Sequence, residues 1–223
     1  LAELLRREFH DELDQLRLQV ELMGVRVDHN LERMREVLLS GDERLAAVAL
    51  AADDDIDAMN VSLTERCYVL LARESPVAVD LRFVVSVLRI ISELERIGDL
   101  ALRVVKLAPE QPLLVASGPP FDILVTTADG ALDTFRRALR AWAEQDLELA
   151  TGLLTRDAAS ELYAERLVTE ILQLEGRDAV RTSMAALVVA RSLERIADHA
   201  RIIGARLRYL ITGEAAHLAA EVR

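Results

Sequence analysis

An octapeptide written twice sets the terms on which this chain can fold. Leu94-Glu95-Arg96-Ile97-Gly98-Asp99-Leu100-Ala101 returns 99 positions later as Leu193-Glu194-Arg195-Ile196-Ala197-Asp198-His199-Ala200. The match runs outward at the same offset, pairing Arg82 with Arg181 and Leu88 with Leu187. A repeat of that extent belongs to a whole helix, so the chain is a duplication and its architecture is expected in two equivalent halves.

Each copy carries an apolar stripe at helical spacing. Ile90, Leu94, Ile97, Ala101 and Val104 form one, and Val189, Leu193, Ile196, Ala200 and Ile203 the other; both are predicted to face a bundle core. Beside the stripe, Glu95 and Asp99 stand at i and i+4, as do Glu194 and Asp198. On a helix such pairs share a face about 6 Å apart along the axis. Like charges at that spacing cost about 0.2–0.5 kcal/mol and call for a counter-charge, which either a metal ion or a partner arginine would supply. Solvated carboxylates held by ordinary ion pairs are the alternative. A third pair, Asp53 and Asp57, lies within the acidic run Asp53-Asp54-Asp55-Ile56-Asp57. So much negative charge in a helical segment is unfavourable unless compensated.

Composition narrows the function classes. A net charge of −11 opposes nucleic acid and anionic membrane as partners, and favours cations or a basic protein surface. Cys67 is the sole cysteine, so no intrachain disulfide and no cysteine-based zinc site is available. No apolar run approaches the roughly 18 residues needed to span a bilayer, and residues 1–10 lack a signal-peptide core; a cytoplasmic protein with no membrane insertion is expected. Gly-x-Gly and Gly-Lys-Ser/Thr are both absent, which removes the dinucleotide fingerprint and the phosphate-binding P-loop, and there is no Gly-x-Ser-x-Gly elbow.

Helical periodicity is nearly continuous. A seam at Phe9, Leu13, Leu16, Val20, Met23, Val27, Asn30, Met34 and Val37 predicts a first helix ending at Ser40-Gly41-Asp42, with Asn30 as a register device. A second is expected over 43–73 and a third over 77–108. Pro109, Pro112, Gly118, Pro119 and Pro120 mark a linker, followed by predicted helices over 121–144, 146–175 and 177–212. The predicted fold is therefore all-α, six long helices in two tandem up-down-up three-helix bundles: residues 1–108, a proline-rich linker at 109–120, residues 121–213, and a tail at 214–223.

Two three-helix halves, an acidic run on the second helix, and Glu-Arg-Ile-x-Asp on the third and sixth resemble the PhoU family of phosphate-uptake regulators. The resemblance covers essentially the whole chain, and its most specific stretches are Pro76 to Arg82, Ser92 to Asp99 and Leu193 to Ala200. It implies a non-enzymatic negative regulator of phosphate uptake and of the phosphate-starvation response. Its implied partners are the ATPase subunit of the phosphate ABC transporter and a phosphate sensor histidine kinase, and it implies a homodimer. It also implies metal ions on the bundle face, with Asp53, Asp57, Glu95 and Asp99 as ligands in the first bundle and Glu194 and Asp198 in the second. Anchored on Leu162-Tyr163, the fifth helix puts Arg156 and Ser160 where acidic ligands are expected; Asp157 and Glu161 have the right spacing one residue out of register, so metal is expected to bind more strongly in the first bundle. An all-oxygen set suits Mg, Ca, Mn or Fe, and Zn could also occupy it.

Two other readings compete: a metal-dependent carboxylate-bundle enzyme, and a metal-free helical adaptor for another transporter. The first is opposed because di-iron bundles need a paired Glu-x-x-His, whereas Glu214 to His217 supplies that spacing once. His199 is expected to pack or face a partner, because residues adjacent on a helix diverge by about 100°. Cys67 is expected in the core.

Overall fold

The computed structural model describes residues 2–155 and 158–221, and among them only helices and their connections occur, with no strand. Helix α1 spans Ala2–Ser40, α2 Glu43–Glu74 and α3 Ala78–Val105. All nine seam residues of α1, Asn30 included, are buried. Asn30 Nδ2 donates to the carbonyl of Ala49 on α2 at 3.2 Å, which ties the register of the two helices. Asp42 caps α2, accepting from the backbone N–H groups of Arg44 and Leu45 at 2.8 and 3.2 Å. The three helices pack mutually as the first bundle.

The proline-rich stretch is itself helical. A short 3₁₀ turn at Ala108–Glu110 leads into α4, Gln111–Ala116, and Pro119 and Pro120 open α5, Pro119–Glu144. Proline is tolerated in the first turn because those N–H groups have no helical acceptor anyway. The last long helix, α8, spans Ala179–Thr212 and ends at Gly213, whose N–H donates to Tyr209 at 2.8 Å. Within the tail, Ala215–Glu221 forms a 3₁₀ turn.

The predicted fifth helix is interrupted. It divides into α6, Leu147–Gly152, and α7, Ala158–Ile171. Asp146 caps α6 through the N–H of Leu149 at 2.9 Å. The helix then lies so close to α8 that a Cβ on Gly204 would come within 3.2 Å of the Ala150 carbonyl and 3.0 Å of Leu153 Cδ1. That docking, followed by the weak helix former Gly152, stops α6, and α7 packs mainly on α5 while only grazing α8.

Both stripes of the duplicated helix are fully buried, and α3 packs against α8 so that one continuous core serves both halves. Burying each Leu or Ile of the stripe contributes about 1.5–3 kcal/mol, far more than the few tenths lost to repulsion between flanking carboxylates. A second seam joins α1 to α5, where Arg136 pairs with Asp28 at 2.8 Å and with Glu32, and Arg35 with Asp129. The repeated arginines each reach the far end of the other half. Arg181 Nη2 lies 2.6 Å from Glu110 Oε1, just beyond α3, and Arg82 lies against Gly213 at the end of α8, where a guanidinium favours the helix dipole.

Candidate functional site

The acidic run of α2 divides its charges between two neighbours. Asp55 turns toward α1, where Arg26 Nη1 meets its Oδ2 at 2.7 Å. Asp53 turns toward α3 and is 7% exposed. A Cβ on Gly98 would lie 3.0 Å from Asp53 Oδ1, so the glycine of the Glu-x-x-Gly-Asp copy is what admits this carboxylate. That oxygen is buried without a hydrogen-bond donor. Burial, then the charges of Asp57, Asp99, Glu95 and Asp54, push the Asp53 carboxyl up to about 6. Glu95 is also raised, first by burial and then by Asp99 and Asp57, with Arg96 opposing. The four candidate residues of the first repeat thus act on one another across the α2–α3 seam. They fit a hard cation in donor type and in the uncompensated charge around Asp53. Among the described residues, however, no three His, Cys, Asp or Glu side chains are arranged to hold one ion, and Asp57 and Asp99 are exposed.

The second repeat places its carboxylates differently. Glu194 pairs with Arg191 at 2.6 Å and Asp198 with Arg201 at 3.0 Å. Because α7 leans on α5, these residues border an open cleft of about 290 Å³ between α5, α7 and α8. Glu161 and Asp133 line the same cleft. Leu162 is 65% exposed; among the described side chains of α7 the buried ones are Leu167 and Ile171, each 104 positions after buried Leu63 and Cys67. Counted from those buried positions Glu161 falls opposite Asp57, one residue away from the alignment anchored on Leu162-Tyr163. Arg156 and Asp157 lie outside the described residues, as does the side chain of Ser160.

Sequence reasoning missed Glu93. It is fully buried on α3, where its carboxylate meets His199 of α8 and the guanidiniums of Arg89 and Arg96 at 3.1 and 3.4 Å. The signal was present as a break in the repeat: Glu93 corresponds to Ser192, and His199 to Leu100. Glu214 and His217 contact only across one turn, at 3.4 Å. Cys67 is buried, and desolvation pushes its thiol up to about 12.

No helix among the described residues is long and apolar enough to cross a membrane. The family model of the PhoU domain matches the chain twice, over residues 20–108 and 124–207. The chain is 30% identical over 215 residues to the phosphate-specific transport system accessory protein PhoU of Serratia marcescens, covering 93% of this chain and 86% of the relative. It is 31% identical over 212 residues to the homolog 1 of that protein from Thermotoga maritima, covering 92% and 90%. The crystal structure of PhoU from Pseudomonas aeruginosa superposes with a TM-score of 0.86 at 29% identity, over 92% of this chain and 100% of that one.

Proposed function

Because the chain belongs to the PhoU family, we propose that it is an accessory regulator of phosphate transport, one that restrains phosphate uptake and the starvation response while phosphate is plentiful. The observation that carries this reading is a family match that runs through both repeats, together with relatives named as accessory proteins of phosphate transport. On this reading it acts in the cytoplasm as a homodimer, without catalysis. It does so by contact with the ATPase subunit of the phosphate ABC transporter and with a phosphate sensor histidine kinase.

A metal ion would be held at the α2–α3 seam by Asp53, Asp57, Glu95 and Asp99. When bound, such an ion supplies the positive charge that the seam lacks. The chain's own residues set the geometry: Gly98 admits Asp53, and Ile56 packs beside it against the same glycine. The competing reading is a metal-free adaptor. Metal analysis of the purified protein separates the two.

The test is alkaline phosphatase activity in phosphate-replete medium, compared between the parent strain, a strain lacking this gene, and the complemented strain. A rise on deletion that complementation reverses supports the regulator. Unchanged activity counts against it.

A further inference from the structure

Beside its core stripe, the first half of α8 carries hydrocarbon that no helix covers. Val180, Met184 and Val188 repeat at i, i+4 and i+8 on one side of the helix and are 73, 64 and 44% exposed. With Leu107, just past the end of α3, they line an open groove of about 530 Å³ between the start of α8 and the end of α3. The duplication does not repeat this patch: the positions related to Leu107 and Val188 are Arg206 and Arg89. Guanidiniums border the groove. Arg177 and Arg181 line it, Arg103 stands one turn before Leu107, and Arg195 two turns beyond Val188. Arg103 also completes a row on α3 with Arg82, Arg89 and Arg96, at seven-residue spacing on one face. The carboxylates nearby are engaged: Glu93 with His199, Arg89 and Arg96, Glu110 with Arg181, and Glu194 with Arg191. Asp99 acts on Asp53 and Glu95 at the α2–α3 seam. Arg103, Arg177 and Arg195 are exposed and make no ion pair with a described residue, whereas Asp178 is the one carboxylate lining the groove without such a pair. On a chain of net charge −11, this face is locally basic.

We propose that this face docks an acidic amphipathic helix of a partner protein. An exposed apolar patch rimmed by charge marks a protein–protein contact, and helices dock in grooves through apolar side chains at i, i+4 and i+7. The apolar side of the partner helix lies on Val180, Met184, Val188 and Leu107. Its carboxylates reach Arg103, Arg177 and Arg195, because a guanidinium binds a carboxylate through two parallel hydrogen bonds. From Arg177 to Arg195 the face runs about 27 Å along α8, the length of a five-turn helix. Charge selects the partner, since a basic helix of the same shape meets repulsion from the same arginines. The preference belongs to the groove itself and goes beyond the phosphate-transport reading without depending on it.

The test is fluorescence anisotropy on the full chain with a labelled, hydrocarbon-stapled helical peptide of roughly 18 residues, leucines on one face and glutamates beside them, and with the same peptide carrying lysine for glutamate. The acidic peptide is expected to bind saturably, and the lysine peptide at least about tenfold more weakly. Met184→Asp is expected to weaken the acidic peptide about tenfold. Arg103→Glu combined with Arg195→Glu is expected to invert the preference, so that the lysine peptide binds more tightly. All three side chains are exposed, so circular dichroism and melting temperature are expected to hold. Absence of saturable binding, equal binding of the two peptides, affinity unchanged by Met184→Asp, or a preference that does not invert would overturn the proposal. A parent that takes no peptide but forms a dimer that Met184→Asp dissociates would assign the face to a second copy of this chain, and overturn it equally.

Discussion

Glu93 on α3 and His199 on α8 meet side chain to side chain inside the contact that joins the two repeats, with Glu93 0% and His199 7% exposed. The positions related to them by the duplication are Ser192 and Leu100, both buried. One of two pseudo-equivalent places therefore carries a hydrogen-bonded acid and imidazole, and the other a hydroxyl and a hydrocarbon. A carboxylate at 0% exposure is tolerated only with partners, so this asymmetry specifies which half lies where.

Removing one member is expected to cost more than replacing both. His199→Ala should destabilise the chain by about 3 kcal/mol, because Glu93 loses a buried partner. The double variant Glu93→Ser with His199→Leu, which copies the related pair, should be less destabilised than the sum of its single variants by about 1–3 kcal/mol. Urea denaturation of the four proteins measures this coupling, and simple additivity would count against it.

Asp53 makes metal-free stability depend on pH. Its carboxyl titrates near 6 when folded against an ordinary value of 3.8, so the folded chain binds the proton more tightly than the unfolded one. Stability therefore falls as pH rises from about 4 to about 6, and the full cost stands above that window. At roughly 1.4 kcal/mol per pH unit, with solvent at Asp57 and Asp99 screening part of the repulsion, the cost is about 1–2 kcal/mol. In EDTA, Asp53→Asn should be more stable than the parent by that amount at pH 7.5 and equal to it near pH 3.5, as read by denaturation midpoints.

The same glycine substitution should have opposite signs in two helices. Gly130→Ala adds a methyl group in open space and should stabilise by about 0.5–1 kcal/mol. Gly204→Ala drives its Cβ toward a backbone carbonyl that cannot rotate away and should destabilise by about 1–3 kcal/mol. Thermal melts of the two variants decide.

If metal is bound, it should depend on the first repeat. Glu95→Ala should lower the metal content of protein purified from metal-supplemented cells more than Glu194→Ala does, because Glu194 already has Arg191 as counter-charge. The reverse order would mean that the sites are misassigned.

Much of the helical plan was legible because it rests on local spacing. The α1 seam and both duplicated stripes were readable residue by residue, since burial of a helix face repeats with the helix period. The break after Gly152 was not legible, because it depends on how closely α6 approaches Gly204, about fifty residues further along the chain. The carboxylate pairs were visible as i,i+4 spacings. That Asp53 turns to Gly98 while Asp55 turns to Arg26 was not, since both belong to one acidic run and only neighbouring helices tell them apart.

By itself the sequence determined that the chain is a duplicated helical protein, which residues form its core stripes, and which family it belongs to. These are properties of pattern along the chain, where spacing alone decides which side chains share a face. Tertiary structure decided which repeated features remain equivalent. Burial is set by whichever helix covers a face, so Asp53 is enclosed against α3, Glu93 is matched to His199 across the seam, and Glu194 and Asp198 border an open cleft where α7 leans away.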